Sequence, residues 1–457
     1  MWILRQPRQR LVAALFVVGA FLVSVVVVLP HFAGAVSQAP TTPPAGSQLC
    51  NAGPDASLLT GPSSAPAGAV TIPAGDNDPT YDQSFSLSPN TTYYFATGTH
   101  TLGTSQYGQI TPHNGDTFIG APGAVINGEG VNQSAFDGSA TDVTIENLTI
   151  ENFFGADGQM VVNHDGGASW TIQDDTITDN GGAGVGLGTD DVVSHNCLSD
   201  NDEYGFSSFG GSTDVTLTDN EISQNDTKGT YDEGAFTTSY SVTSDVATVT
   251  TEAPLRTAVG SQIQVGYNGA ALSDGALNGT RTITSIPTPN SFTFAVTAPD
   301  VATTSDTVGQ VADADAVCGC SGGGKFWDTA GGTVTGNYVH DNGFVGIWDD
   351  TDNSGFNISD NYIANNWAEG IIYEISYNAS ITDNTFVDNA WGGGPSPALG
   401  GFPDPALYIS ESGSDSRVPG AYGSTFAVSG NVFTDNWGGV DTTSCTPPSQ
   451  TLSVLCE

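Results

Sequence analysis

The sequence predicts an all-β solenoid, in which short coils stack so that their strands form long parallel sheets, with one small antiparallel module inserted. Three observations carry this expectation. A nine-residue unit (apolar, two polar, Asn, any residue, apolar, two polar, Asn) recurs along the chain, as in 334–342 (VTGNYVHDN). Consecutive copies place equivalent Asn residues 24 or 23 apart, as at Asn337, Asn361 and Asn384. Gly, Asn, Thr and Val dominate where a helical protein shows Lys, Glu and Leu.

In chain order, residues 1–35 read as a signal peptide or an N-terminal membrane anchor. Arg5, Arg8 and Arg10 precede an almost uncharged run from Leu11 to Leu29, and Ala33, Gly34 and Ala35 offer a small-residue cleavage site. The run approaches the ~20 residues that span a bilayer, so retention as an anchor competes with cleavage, the favoured outcome. Either puts the remainder outside the cytoplasm, extracellular or at the cell surface. Residues 36–80 are rich in Pro, Ala, Ser and Gly without apolar periodicity and read as a linker.

Residues 81–236 and 318–440 carry the repeat, in copies at 193–201, 217–225, 334–342, 358–366, 381–389 and 428–436. Their alternations suit strands of three to five residues, with Asn or Gly at the turns. Stacked Asn side chains would satisfy buried turn backbone, so every repeat Asn and Asp is read first as structural. Residues 441–457 form a tail. Six cysteines in an exported chain read as structural staples, with Cys445 and Cys456 the favoured local pair. Cys318 and Cys320 lack both the spacing and the neighbouring His of a zinc site.

The repeat resembles the right-handed parallel β-helix proteins of pectate-lyase type, in the form of secreted bacterial β-helix-repeat proteins. The resemblance covers roughly residues 90–236 and 318–440, and the opening coil, 92–100 (TYYFATGTH) followed by 115–128 (GDTFIGAPGAVING), is similar to the segment that begins such stacks. It implies a right-handed parallel β-helix and leaves function to be argued from the site.

Asn220 and Asn337 lie 117 residues apart, one coil plus a surplus of about ninety. Within 237–317 the segments 246–251, 262–266, 279–284 and 291–296 alternate and are separated by Gly, Asn and Pro, which predicts an inserted antiparallel β module. It resembles short β modules of bacterial and phage surface proteins. An accessory role is favoured over a carbohydrate-binding module or a lid.

The chain holds 49 acidic and 8 basic side chains, a net charge of -41. Without clustered Lys and Arg it has no means of binding nucleic acid or anionic lipid, so membrane association is expected only through an uncleaved N-terminal segment. Three coils after the insert stand out: 323–329 (GGKFWDT), 346–353 (GIWDDTDN) and 370–377 (GIIYEISY). Aligned on the Asn that follows, they put Lys325, Trp348 and Ile372 in one column, Trp327, Asp350 and Glu374 in the next, and Thr329, Asp352 and Ser376 in a third. Period-2 geometry would point all three to one face, with adjacent coils ~4.8 Å apart.

Asp350 and Glu374 would then be close enough for one carboxyl to be held protonated beside an ionised partner, as a retaining glycosidase requires. Asp350, Glu374 and Lys325 are the candidate catalytic residues; Trp327, Trp348, Tyr377, Asp352 and Asn353 are candidates for binding sugar. A Ca²⁺ held by Asp350, Asp352 and Glu374, with Lys325 as base, would instead support elimination on a uronate. The same segments resemble a subgroup of secreted bacterial β-helix proteins that share G-G-x-K-x-W, G-I-W-x-D-x-D-N and G-I-x-x-E-I-S. The R-x-P-x-x-R setting of pectate lyases is incomplete at 417–422 (RVPGAY), and only Asp190 and Asp191 echo the aspartate pair of polygalacturonase-like enzymes. The expected protein is a monomer acting on a polysaccharide or cell-wall glycan by hydrolysis or lyase-type cleavage. The competing reading is a non-enzymatic adhesin or glycan-binding solenoid.

Overall fold

A computed structural model describes residues 42–77, 86–155, 158–227, 235–251, 259–260, 262–266, 271–288, 290–313, 321–390, 405–410, 426–434, 436 and 452–455. The expected signal or anchor, Cys318, Cys320, Cys445 and Cys456 lie outside these residues. Among the described residues no helix is long and apolar enough to cross a membrane.

Each coil sends one apolar side chain inward from each strand, and stacking turns these into columns. On the first sheet the column includes Ile145, Ile172, Val193, Leu217, Val334, Ile358 and Ile381. On the second it includes Ile150, Ile177, Leu198, Ile222, Val339, Ile363 and Phe386. All are fully buried, each contributing ~1.5–3 kcal/mol of burial free energy. The result is a parallel β-helix with two eleven-stranded sheets and a third of eight strands, seven of them parallel and the last antiparallel.

The repeat Asn residues form two buried amide ladders along the stack. Asn220 Nδ2 donates to Asn337 Oδ1 at 3.0 Å, Asn337 to Asn361 at 2.9 Å, and Asn361 to Asn384 at 2.9 Å. Each amide also donates to a strand carbonyl of an earlier coil, as Asn361 does to Val334 O at 2.9 Å. A parallel ladder runs through Asn201, Asn225, Asn342, Asn366 and Asn389. The residue before each ladder Asn takes the left-handed conformation: Asp219, Asp341, Asp360, Asp383 and Asp388 all have positive φ. Asp tolerates this region better than most residues. Gly336 fills the same place, with φ of 69°, where an added Cβ would lie 2.3 Å from Asp219 Oδ1.

The expected linker differs from the structure. Val70–Ile72 and Gly75–Asp76 begin the first and second sheets, and residues before them dock on the solenoid flank. Cys50 and Cys197 form a disulfide closing a 147-residue separation, which on chain-entropy grounds removes about 5 kcal/mol of unfolded-state freedom. Beside it, buried Glu221 accepts the backbone N–H groups of Leu49 and Cys50 through Oε2. Its Oε1 faces His340 Nε2 at 3.0 Å, and His340 Nδ1 faces Asp341 Oδ2 at 2.6 Å.

The inserted module is a small closed barrel. Its strands pair antiparallel in the order Val246–Thr251, Ser291–Ala295, Gly279–Thr288, Gln262–Val265, Gln310–Asp313 and Ala235–Thr243, and the last pairs back to the first. Ser321 Oγ donates to Asp226 Oδ2 at 2.6 Å and ties the returning chain to the departing one. The barrel core of Val242, Val249, Phe292 and Phe294 is continuous with Phe344, Val345, Trp348, Ile372 and Tyr408 on the third sheet.

Two outcomes follow for stability. Asn361→Ala strands Asn337 N, Asn337 Nδ2 and Val334 O in the preceding coil and removes one donor from Asn384 Oδ1, and it is expected to cost at least about 3 kcal/mol in urea unfolding; a loss below about 1 kcal/mol would show that the ladder is incidental. For His340, its two carboxylate partners outweigh burial and raise its pKa above the ordinary value. A raised folded pKa stabilises fully below the unfolded value of about 6.5, and the gain is lost as pH rises through the folded value. Thermal melts of the parent should therefore lose stability over that rise and melts of His340→Gln should not; a His340 proton resonance titrating at or below 6.5 contradicts this.

Candidate functional site

On the third sheet, Gly322–Trp327, Val345–Asp350 and Ile371–Glu374 lie side by side. Lys325 pairs in register with Trp348 and Trp348 with Ile372, while Trp327 pairs with Asp350 and Asp350 with Glu374. Phe326, Ile347, Ile371 and Tyr373 alternate into the solenoid core, which leaves these two columns on the outer face.

The outer side chains form a connected chain of contacts. Lys325 Nζ lies 2.9 Å from Asp350 Oδ2 and 4.1 Å from the centre of the Trp348 ring, a salt bridge and a cation–π contact made by one ammonium. Trp348 Nε1 donates to Glu374 Oε1 at 2.9 Å. Thr351, a residue that sequence reasoning passed over, donates from Oγ1 to Asp350 Oδ1 at 2.6 Å. Asp350 is thus held by the Lys325 ammonium and the Thr351 hydroxyl, and Glu374 accepts the Trp348 indole N–H. Because Trp348 and Ile372 belong to the cluster shared with the barrel, Trp348 is only 6 % exposed and Glu374 7 %, whereas Trp327 is 51 % exposed.

The third column departs from expectation. The strand ends at Asp350, and Thr351 and Asp352 take consecutive left-handed conformations, with φ of 44° and 62°. Asn353, not Asp352, then aligns with Thr329 and Ser376. Thr329 N donates to Asn353 Oδ1 at 3.0 Å and Asn353 N to Ser376 Oγ at 3.2 Å, all three fully buried. Asn353 Nδ2 donates to Asp350 O at 2.7 Å, so this residue fixes the strand end and presents nothing to a sugar. The signal was present: Thr351-Asp352-Asn353 has the same pattern as the repeat's turn and ladder.

Tyr377 is also corrected. It is buried, and its carbonyl accepts the Tyr373 hydroxyl at 2.8 Å, so it offers no stacking surface. Among the described residues no three His, Cys, Asp or Glu side chains come together to hold a metal ion. The expected Ca²⁺ set of Asp350, Asp352 and Glu374 does not assemble, because the chain turns between the first two. Asp191, half of the echoed aspartate pair, is buried and caps backbone instead, accepting Trp170 N at 2.7 Å and Gly188 N at 2.6 Å; burial pushes its pKa up to about 7.

Sequence reasoning also missed Asp349. It points inward between Phe326 and Tyr373, fully buried, with neither carboxyl oxygen hydrogen-bonded among the described residues. Burial alone raises its pKa well above the ordinary carboxylate range. The other described Lys or Arg side chain, Arg281, donates to the carbonyls of Ala276, Leu277 and Asn278 within the barrel. Among the described residues Lys325 is therefore the Lys or Arg side chain at the site.

The family described as "Right handed beta helix region" matches residues 118–246 and 309–420, more than half of the chain, and the protein belongs to that family. The gap between the two matched segments, 247–308, falls within the barrel. Among solved structures, the A-module of the Azotobacter vinelandii mannuronan C-5 epimerase AlgE6 is 11% identical, covering 78% of this chain and 91% of its own, with a TM-score of 0.37. The catalytic unit of the GH87 α-1,3-glucanase of Streptomyces thermodiastaticus is 14% identical over 82% of this chain and 57% of its own, with a TM-score of 0.41. PfbA, a surface adhesin of Streptococcus pneumoniae, is 10% identical over 78% and 72%, with a TM-score of 0.37. At these identities the likeness is one of fold. No curated protein matches the sequence.

The Lys325–Asp350 contact can be weighed directly. In a double-mutant cycle of Lys325→Met and Asp350→Asn, the pair should couple by about 1 kcal/mol or more, as two partly desolvated groups in contact do. Additive losses in urea unfolding would show that the ion pair is not formed in solution.

Proposed function

We propose that the protein acts on polysaccharide by hydrolysis at the outer face of the third sheet, with Asp350 and Glu374 as the reacting pair. The observation that carries this reading is the sharing of donors: Lys325 and Thr351 hold both oxygens of Asp350, and Trp348 holds one of Glu374. Lys325 and Thr351 fix the Asp350 carboxyl in one orientation, which suits a base or nucleophile. Glu374, which accepts the Trp348 indole N–H and is mostly removed from solvent, suits the acid that protonates the leaving oxygen. Trp327, exposed in the same column, supplies a ring for a sugar to stack on.

Elimination is the weaker alternative. The Lys325 ammonium is engaged by Asp350 and by the Trp348 ring and is not free to take a proton from substrate. A polyuronide would meet a chain of net charge -41, whereas a neutral glycan meets no such repulsion. An extracytoplasmic location accords with the N-terminal reading and with the Cys50–Cys197 disulfide. One observation keeps a non-catalytic, glycan-binding reading in play: Glu374 is only 7 % exposed, so a sugar must approach closely to reach it.

Incubation of the protein with a panel of neutral and uronic glycans, with and without chelator, tests the proposal. The expected result is chelator-insensitive cleavage of a neutral glycan, reduced ~100-fold or more by Glu374→Gln and by Asp350→Asn, with binding retained. Binding without cleavage of any glycan by the parent would leave the adhesin reading; loss of cleavage with chelator would overturn the metal-free mechanism.

A further inference from the structure

We infer that the ligand is a neutral linear glycan lying along the helix axis and held at a second station formed by His164, Asp165 and Gln159, four strands from Asp350. The inference rests on the proposed function and extends its site. The third sheet runs in the order Met160–Val162, Ala183–Leu187, Tyr204–Ser208, Gly322–Trp327 and Val345–Asp350. Four spacings of ~4.8 Å separate the strand Met160–Val162 from Val345–Asp350 by ~19 Å; His164 and Asp165 follow the end of the first strand as Asp350 ends the last, and Gln159 precedes the first.

The second station is built rather than incidental. His164 Nδ1 lies 2.8 Å from Asp165 Oδ1, and its Nε2 lies 2.6 Å from Gln159 Oε1. Asp165 Oδ2 accepts Gly138 N at 2.9 Å. Behind them Asp137, 9 % exposed, accepts Thr111 Oγ1 at 2.6 Å and Gln109 Nε2. None of these groups takes part in the ladders or the core, and Asp165 and Gln159 remain open to solvent.

What joins the stations is a floor of rings laid on glycine. A Cβ on Gly166 would lie 2.9 Å from the Phe209 ring and one on Gly186 2.6 Å, while a Cβ on Gly210 would lie 2.9 Å from Trp327. Any side chain at these three places would lift the rings off the surface. Phe209 and Trp327 therefore lie flat between His164 and Asp350, the arrangement on which sugar rings stack. The polar groups along the strip are mostly acceptors, and the site's cation is committed to Asp350. Sugar hydroxyls satisfy such groups as donors, whereas the carboxylate of a uronate, an acceptor only, would face them unpaired.

The test uses gluco- and manno-oligosaccharides from disaccharide to octasaccharide, with binding followed by calorimetry and turnover followed separately. For the parent, affinity should rise with length until the chain spans the strip. In His164→Ala and in Gln159→Ala, two surface changes whose melting temperatures serve as a folding check, the longest chains should lose ~10-fold in affinity and in KM, with kcat and the disaccharide unaffected. The same length dependence in parent and both variants would overturn the second station while leaving the proposed reaction intact. Length-dependent binding lost in the variants, with no cleavage by the parent, would support the station and remove the hydrolase. Absence of binding by every oligosaccharide would overturn both.

Discussion

The buried amide ladder is the constraint on which everything else in this molecule depends. A solenoid coil of three short strands has corners whose backbone groups point inward, where water cannot satisfy them. Each ladder Asn supplies a donor to a strand carbonyl below and an acceptor to the amide of its neighbour, so a coil is complete only when the next is stacked on it. This explains how the chain crosses an excursion of about ninety residues without losing register. Asn220 meets Asn337 at the same 3.0 Å that joins Asn196 to Asn220. The columns beyond the insert are therefore set by the coils before it.

The ladder also accounts for part of the chain's acidity. The left-handed corner before each Asn must be filled by a residue that tolerates positive φ, and outside glycine the short polar side chains do so best. Asp is the repeated choice, and the scaffold accumulates carboxylates that have no ligand to bind. Against that background a cation has unusual leverage. Lys325 meets Asp350 and Trp348 at once, and through Trp348 it fixes the donor that reaches Glu374.

The two outer columns were legible because strand alternation and a constant coil length are enough to align Lys325 with Trp348 and Asp350 with Glu374. Four strands of the barrel were legible for the same reason, from alternation between turn residues. The limits are also physical. Alternation stops where a strand stops, and the bend at Thr351 and Asp352 turned a presumed third outer column into an inner one, removing Asp352 from the Ca²⁺ set and burying Asn353. Tyr377 begins the next strand rather than ending the last, so its ring goes inward. The docking of the N-terminal segment had no periodic signal, since it depends on Cys197 and Glu221 standing one above the other in an outward column, and such a column is read only once the stack is known.

The barrel changes the chemistry of the face beside which it sits. An ion pair on an open sheet gains little, because water screens it and competes for both partners. Here Trp348, Ile372 and Tyr408, which would otherwise be an exposed apolar strip, are covered by continuity with the barrel core. One side of the Lys325–Asp350–Glu374 group is thereby closed to solvent while Trp327 leaves the other open. Removing water from one wall strengthens every charge and dipole interaction at that wall. The insert thus helps to make the site, and this follows from where it lands: its stem, closed by Ser321 and Asp226, opens immediately before the strand that carries Lys325.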